Sequence, residues 1–132
     1  MIKWKNDENI YLDAFLKAEQ PVPSPYLVDG ELSAAAVRGQ AVFNTRCIGC
    51  HSGPYLTDQQ LHDVGTGTAM DAGPFDTPSL IEVWRTGPYL HDGRAAALNE
   101  VITKFNPGDE HGETSKLTAA EIADLVAFLM SL

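Results

Sequence analysis

The chain has 132 residues, enough for one domain with its own core, and 44% of them are hydrophobic while 20% are charged, as in globular proteins. Eighteen acidic against nine basic side chains give a formal charge of −9, which argues against nucleic acid and anionic membrane surfaces as partners. No apolar run reaches the roughly 18 residues of a membrane span, and residues 1–5 lack the apolar stretch of a signal peptide.

The first 30 residues are predicted to lie outside the main domain. Residues 7–19 carry apolar side chains at spacings that predict a short amphipathic helix, namely Ile10, Leu12, Phe15 and Leu16. The proline-rich stretch 21–25 cannot be helical and predicts an extended linker. We therefore expect a helix and a strap over residues 1–30 and one domain over residues 31–132. The tail of an upstream domain is the alternative for the first segment.

The main domain is predicted to begin with a helix that has Ser33 as its N-cap and runs toward Cys47. At its end stands Cys47-Ile48-Gly49-Cys50-His51, which contains both cysteines of the chain. In Cys-x-x-Cys-His, each thiol adds to one vinyl group of a haem and the histidine binds the iron, so the motif indicates c-type haem attachment. A zinc site would need a second ligand pair, and a thioredoxin-like motif would need βαβ surroundings.

One covalently attached haem c is therefore predicted, with His51 as an axial ligand of the iron. Because haem is attached to c-type cytochromes outside the cytoplasm, we expect a periplasmic or otherwise extracytoplasmic protein. The missing signal peptide is then explained by its removal, or by the domain being part of a longer exported chain.

After the motif, the sequence predicts short helices between long loops. Residues 52–78 are rich in Gly, Thr, Asp and Pro without a clear period, which is typical of a long loop that a cofactor holds in place. Short helices are predicted over residues 79–86 and 95–105, followed by a polar loop over 106–117.

The last predicted helix is the clearest. Thr118 and Glu121 have the spacing of a capping box, and the residues that follow form an apolar stripe, with Ile122, Leu125, Val126 and Leu129 on one face. No internal repeat and no convincing strand is present. The fold class is therefore predicted to be all-α, and the first and last helices of the domain are expected to pack across each other beside the haem.

From Ala41 to its end, the chain resembles the C-terminal haem domain of bacterial di-haem cytochrome c peroxidases and of the enzyme that matures methylamine dehydrogenase. The segments that carry the resemblance, in chain order, are Cys47-Ile48-Gly49-Cys50-His51, His62-Asp63-Val64-Gly65, Phe75-Asp76-Thr77-Pro78-Ser79-Leu80, Gly87-Pro88-Tyr89-Leu90-His91-Asp92-Gly93-Arg94 and Leu98-Asn99-Glu100-Val101. The resemblance implies a cytochrome c fold with short helices and long haem-wrapping loops.

The chain departs from this family at the sixth ligand of the iron. In the family, that ligand follows the His of the His-Asp-Gly motif by fourteen residues and is Met in the peroxidases or Tyr in the maturation enzyme. Here the position is Phe105, which cannot bind iron. The usual sixth ligand is therefore missing.

Four alternatives remain open for the sixth site. His111 lies six residues beyond Phe105 in the polar loop, and we prefer it because histidine is a common iron ligand. Met70 of the middle loop would raise the potential as a thioether ligand. Lys104 would have to bind as a neutral amine. The last alternative is an open or water-bound site, with Phe105 keeping the distal pocket dry.

Three more residues are predicted to support the haem from its surroundings. Pro78 would present a neighbouring carbonyl to the His51 ring and fix its tautomer. Arg85 and Arg94 would pair with the haem propionates as charge-assisted donors, with surface solvation as the alternative for Arg94.

Aromatic and histidine side chains of the family motifs are further candidates. His62 and His91 would donate hydrogen bonds to the propionates or to the loops around them, or else pin a turn. Trp84 and Tyr89 are expected to pack against the edge of the haem.

Two classes of function follow from these residues. The single haem motif, the small size and the acidic surface favour an electron-transfer domain with a redox partner protein, for which a basic surface is the natural complement. A peroxidase-like enzyme or a ligand-binding or gas-sensing haem domain is the alternative, since an open iron would bind peroxide. We expect a carrier, because the second haem domain of the peroxidases is absent.

Overall fold

The computed structural model describes the backbone of residues 6–132 and the side chains from Asn9 onward. Within that range the chain forms four α-helices and two strands of two residues each, namely α1 (Asn6–Ala18), α2 (Ala34–Arg46), β1 (Leu61–His62), β2 (Phe75–Asp76), α3 (Leu98–Ile102) and α4 (Ala119–Leu129). The all-α fold class is confirmed. Residues 1–5, in which the sequence shows no signal peptide, lie outside the described part.

Helices α2 and α4 pack against each other and form the centre of the domain. Gly39 of α2 lies directly against the backbone of Asp124 in α4, with no room between them for a side chain. Phe43 and Phe128 pack with ring centroids 5.1 Å apart at an angle of 56°, a favourable tilted arrangement. The predicted crossing of the first and last helices of the domain is thus present, and it places the end of α2 beside the core.

Both helices begin where their caps predict. Ser33 accepts a hydrogen bond from the backbone N–H of Ala36 at the start of α2. At the start of α4, the Thr118 hydroxyl accepts from the Glu121 N–H while the Glu121 carboxylate accepts from the Thr118 N–H. These reciprocal bonds satisfy N–H groups that a helix start otherwise leaves without partners.

The buried core is small and comes mainly from the helices. Its fully or nearly fully buried apolar side chains are Ala36, Phe43, Val83, Ala95, Leu98, Val101, Ile102, Leu125, Phe128 and Leu129. Most of the middle of the chain lies outside this core as loop. The loop therefore depends on something other than apolar packing among its own residues to hold its shape.

The prediction that the chain has no strand was wrong. Strands β1 and β2 pair antiparallel within the long loop, with Leu61 opposite Asp76 and His62 opposite Phe75. Such a short ladder has no alternating apolar pattern to detect, because it forms only when the loop folds back on itself. Two predicted helices are also shorter than expected: 79–86 contains one 3-10 turn at Val83–Arg85, and α3 fills only the middle of 95–105.

The N-terminal segment lies along the end of the domain. The Ser24 hydroxyl donates to the carbonyl oxygen of Met130 at 2.5 Å, and the Val22 N–H donates to the Glu82 carboxylate. Helix α1 keeps its large apolar side chains 49–76% exposed, namely Ile10, Tyr11, Leu12, Phe15 and Leu16. Within the described residues, no helix is long and apolar enough to cross a membrane.

Candidate functional site

The Cys-x-x-Cys-His segment forms a tight turn at the C-terminal end of α2. Cys47 is the C-cap residue of the helix, and its carbonyl oxygen accepts hydrogen bonds from the N–H groups of Cys50 at 3.2 Å and His51 at 2.9 Å. Both thiols are free. Burial and the neighbouring Cys50 raise the pKa of Cys47 to about 11, and burial also raises the pKa of Cys50. Before a cofactor is attached, the two sulfur atoms are therefore neutral thiols at physiological pH.

His51 is held as a neutral imidazole with one nitrogen free. Its ring is 9% exposed, and burial lowers its pKa, although hydrogen bonding to the backbone of Leu56 and Pro78 opposes this shift. Nδ1 lies 3.1 Å from the carbonyl oxygen of Leu56. Since a carbonyl only accepts, Nδ1 carries the proton and Nε2 keeps a lone pair for a metal.

A cavity of about 420 Å³ opens beside His51. This volume lies within the range of roughly 300–1,000 Å³ that small-molecule and cofactor sites occupy. Both cysteines line the cavity, and its walls are otherwise mostly apolar, with Val64, Leu80, Val83, Leu90, Leu98, Val101, Ile102 and Leu129 among them. The cavity therefore combines two attachment sulfurs, one metal-binding imidazole and a largely water-excluding lining.

His111 lies across the same cavity from His51. The centroids of the two rings are 6.3 Å apart and their planes make an angle of 38°. Metal–imidazole bonds are about 2.0 Å long, so two rings that flank one metal ion have centroids roughly 6 Å apart. Burial and the neighbouring His51 lower the pKa of His111, which keeps it neutral. The separation and the donor set thus fit a single iron between the two rings.

The nitrogens of His111 differ from those of His51. His111 Nδ1 is buried and has no hydrogen-bond partner among the described residues, whereas His51 Nδ1 faces the Leu56 carbonyl. A buried ring nitrogen without a hydrogen-bond partner is uncommon, and metal-bound histidines almost always donate their second N–H. The orientation of the His111 ring therefore depends on its backbone and its packing rather than on a hydrogen bond of its own.

Other predicted site residues divide into two groups. Pro78, Tyr89 and His91 line the cavity together with both cysteines, His51 and His111. The Tyr89 hydroxyl donates to the Val83 carbonyl at 3.0 Å, and the His91 ring stacks on Phe75 with centroids 4.0 Å apart. These three residues are therefore placed where contact with a cofactor is possible.

Arg85 and Phe105 are not among the cavity-lining residues. Arg85 pairs with Glu82 at 2.5 Å and lies over the Trp84 ring, so its charge is already satisfied at the surface. The Phe105 ring lies beside two cations: its centroid is 5.6 Å from the guanidinium carbon of Arg94 and 4.8 Å from the ammonium nitrogen of Lys104. Neither residue contacts the cavity in the way that the sequence predicted, because each packs against charged neighbours outside it.

The other side chains considered as sixth ligand lie away from the cavity. Met70 is 98% exposed, and the Lys104 amine is 3.5 Å from the Glu100 carboxylate. Arg94 was predicted to bind a propionate. Its Nε lies 3.0 Å from the Asp92 carboxylate, and its Nη2 donates to the Thr66 carbonyl. Of the three side chains proposed for the iron, His111 alone shares the cavity with His51 in the described part of the chain.

An Asp–His pair beside the attachment turn was not predicted from the sequence. His62 Nε2 lies 2.8 Å from the Asp58 carboxylate, and these groups and the Cys50 sulfur come within 4.8 Å of one another. Three donors are one short of a closed structural zinc site. The hydrogen bond from His62 lowers the pKa of Asp58 to about 2, so the carboxylate is protonated only at a lower pH than an ordinary aspartate.

Replacing Asp58 with asparagine is expected to flatten the acid limb of the stability curve. The pKa of Asp58 is lower in the folded chain, about 2, than the value of about 3.9 in unfolded chains. Its contribution is therefore complete above about pH 4 and is lost as the pH falls toward 2. Urea unfolding of the wild-type and variant holoproteins from pH 5 to pH 2 measures the difference, and parallel curves over that range would contradict this role.

The comparisons with known proteins point to one family. Residues 36–132 match the family model for cytochrome c. The hydrazine synthase subunit gamma of Kuenenia stuttgartiensis is 32% identical over 92% of this chain and 48% of its own length. The cytochrome-c peroxidase IdrP1 of Denitromonas iodatirespirans is 33% identical over 76% of this chain and 41% of its own. The methylamine utilization protein MauG of Methylophilus methylotrophus is 33% identical over 76% and 37%.

A solved structure extends the similarity to nearly the whole chain. Hydrazine synthase of Kuenenia stuttgartiensis, in a structure pressurised with xenon, superposes with a TM-score of 0.82 at 29% identity. The superposition covers 98% of this chain and 56% of the other. The chain thus spans about half or less of the length of the curated relatives described above, whose remaining residues have no counterpart in it.

Proposed function

Because the chain belongs to the cytochrome c family, as a haem domain of the di-haem peroxidase and MauG type, we propose that it is a monohaem electron-transfer domain with two histidine ligands. Family membership implies one covalently bound haem c, with Cys47 and Cys50 as the attachment residues. His51 would bind the iron on one side and His111 on the other. The observation that carries the proposal is the placement of two neutral imidazoles 6.3 Å apart across one cavity.

The side chains of the cavity support transfer of electrons rather than chemistry on a substrate. When bound, the haem supplies an iron that changes reversibly by one electron. Two protein ligands would hold that iron in the same coordination in both oxidation states. The mostly apolar walls would limit the access of water to the haem, and the carbonyl of Leu56 fixes the proton on Nδ1 of His51. His111 would then occupy the position at which a peroxide or a gas could bind.

A peroxidase-like activity is the second candidate, and the similarity to cytochrome-c peroxidase IdrP1 favours it. It requires His111 to leave the iron so that a ligand can enter. The activity of those relatives belongs to chains more than twice as long as the matched part. In this chain, the position of His111 across the cavity from His51 supports a second protein ligand at the place where a peroxidase would keep a free distal site.

The partner and the location follow from charge and from the family. A chain with a formal charge of −9 would be steered toward a basic face of its redox partner, and that association would weaken as the salt concentration rises. Covalent attachment of haem c and the similarity to a cytochrome-c peroxidase favour a periplasmic or otherwise extracytoplasmic location. The domain would work there alone or within a longer chain.

Substituting His111 with alanine tests the ligand assignment. We expect the wild-type holoprotein to be low-spin and the variant to become high-spin, to bind carbon monoxide when reduced, and to gain reactivity with peroxide. Met70→Ala and Lys104→Ala are matched controls, because they remove the rival ligands, and both should keep the wild-type spectrum. The absorption spectra of the oxidised, reduced and carbon monoxide-treated proteins measure the change.

Two results would contradict the assignment. A His111→Ala protein with the wild-type low-spin spectrum would remove His111 from the iron, and a change in Met70→Ala would transfer the role to the thioether. A wild-type protein that is already high-spin and consumes peroxide would favour the peroxidase-like function.

A further inference from the structure

The loop between α3 and α4 carries His111, and two of its polar side chains, Asn106 and Thr114, are buried. Asn106 is 4% exposed, although it lies in a polar loop that contains Pro107 and Gly108. Asparagine is mostly found at the surface of proteins. A buried asparagine in such a loop therefore implies that its amide group has several specific partners.

The partners of Asn106 surround His111. The His111 N–H donates to Asn106 Oδ1 at 2.9 Å. Asn106 Nδ2 has two hydrogens for three acceptors, so one of them is shared: the acceptors are the Gly112 carbonyl at 2.8 Å, the Thr114 hydroxyl at 2.8 Å and, at the longer distance of 3.3 Å, the His111 carbonyl. One side chain thus binds both backbone polar groups of His111 and the carbonyl of the next residue.

The rest of the loop is anchored at points away from His111. The Thr114 hydroxyl donates to the Ile102 carbonyl at 2.6 Å, and Asp109 accepts from the backbone N–H groups of Thr114 and Ser115. Glu113 pairs with Arg46 at 2.7 Å, just before the attachment turn. These contacts fix the ends of the loop, whereas the contacts of Asn106 fix the one residue that faces His51.

The side chain of His111 has no anchor of its own, since its buried Nδ1 has no partner among the described residues. A ring without a second-nitrogen hydrogen bond is oriented only through its Cα position and its packing. We therefore propose that Asn106 is the positioning residue of the sixth ligand: it holds the His111 backbone so that the ring faces His51, and it thereby limits access of external ligands to the iron. This inference rests on the proposed ligation by His111.

Two substitutions at Asn106 test the proposal in the holoprotein. Asn106→Asp keeps the acceptor for the His111 N–H but removes the Nδ2 donors, and Asn106→Ala removes all four hydrogen bonds. The fraction of molecules with an open iron sets how fast and how tightly an added ligand binds. We therefore expect carbon monoxide to bind about tenfold or more faster in both variants than in the wild type. The high-spin fraction of the oxidised protein should also rise, and it should rise more in Asn106→Ala than in Asn106→Asp.

Thr114→Val separates ligand positioning from the general stability of the loop. It removes the buried bond to the Ile102 carbonyl and the bond that Asn106 donates to the Thr114 hydroxyl, but it leaves the three contacts between Asn106 and residues 111–112 in place. We expect a lower unfolding midpoint in urea together with the wild-type spectrum and carbon monoxide rate. The exposed Asn99 provides a chemically matched control as Asn99→Asp.

The outcomes distinguish the two levels of the proposal. If His111→Ala changes the spin state while both Asn106 variants keep the wild-type spectrum and carbon monoxide rate, the positioning role is wrong. If Thr114→Val and Asn106→Asp are equally stable and bind carbon monoxide at the same raised rate, the positioning role is also overturned. The rate would then follow the stability of the loop. A His111→Ala protein with an unchanged spectrum would instead overturn the ligand assignment itself. Should Asn106→Ala not assemble with haem, Asn106→Asp carries the test.

Discussion

Substituting Gly39 with alanine is expected to destabilise the holoprotein by about 3 kcal/mol or more, although alanine is the better helix former. A Cβ at residue 39 would lie 1.9 Å from the carbonyl oxygen of Asp124, 2.4 Å from its carbon and 2.9 Å from the backbone nitrogen of Leu125. All three are backbone atoms of α4, so no side chain can rotate away. The helices would have to separate, which would open the packing of Phe43 against Phe128.

Urea unfolding of the holoprotein measures this effect through the free energy of unfolding. Gln40→Ala is the matched control, because Gln40 is the next residue of α2 and is exposed. Its effect should stay within about 0.5 kcal/mol. A Gly39→Ala protein as stable as the wild type, or stabilised by the roughly 1 kcal/mol that helix propensity predicts, would contradict the close crossing of α2 and α4.

Replacing Cys47 and Cys50 together with alanine is expected to abolish covalent attachment of the haem. Each thiol supplies one bond to the cofactor, so either single variant should keep one thioether link and the double variant none. The stability of the fold should fall as well, since the cavity of about 420 Å³ among Leu80, Val83 and Leu98 would lose the group that fills it.

Haem staining after denaturing electrophoresis detects the covalent link, because only attached haem survives unfolding. Ile48→Ala is the control, since Ile48 lies between the two cysteines and is 42% exposed. It should stain as the wild type does. Covalent haem in the double variant, or its loss in Ile48→Ala, would contradict the assignment of the two cysteines.

Short-range patterns in the sequence predict where the two central helices begin and where the haem is attached. Ser33, Thr118 and Glu121 mark the starts of α2 and α4 correctly, because a cap depends on residues only three positions apart. The attachment motif is equally local. The pairing of β1 with β2 is not, since Leu61 and Asp76 meet only after the intervening loop has folded back.

The cavity wall was harder to predict, because it comes from segments far apart in the chain. Family position placed Phe105 at the sixth site, but the ring lies beside Arg94 and Lys104 outside the cavity. The alternative at His111 could be suggested from residue type alone. Its position opposite His51 depends on the hydrogen bonds of Asn106, and no sequence pattern predicts which backbone groups a buried amide will bind.

Whether His111 binds the iron opposite His51 is decided by the spin state of the iron in the wild-type holoprotein. Two histidine ligands predict a low-spin iron in both oxidation states, with an electron paramagnetic resonance signal of low-spin ferric haem and a reduced spectrum that carbon monoxide changes only slowly. A high-spin ferric signal, together with a reduced protein that binds carbon monoxide readily, would show that His111 does not bind the iron.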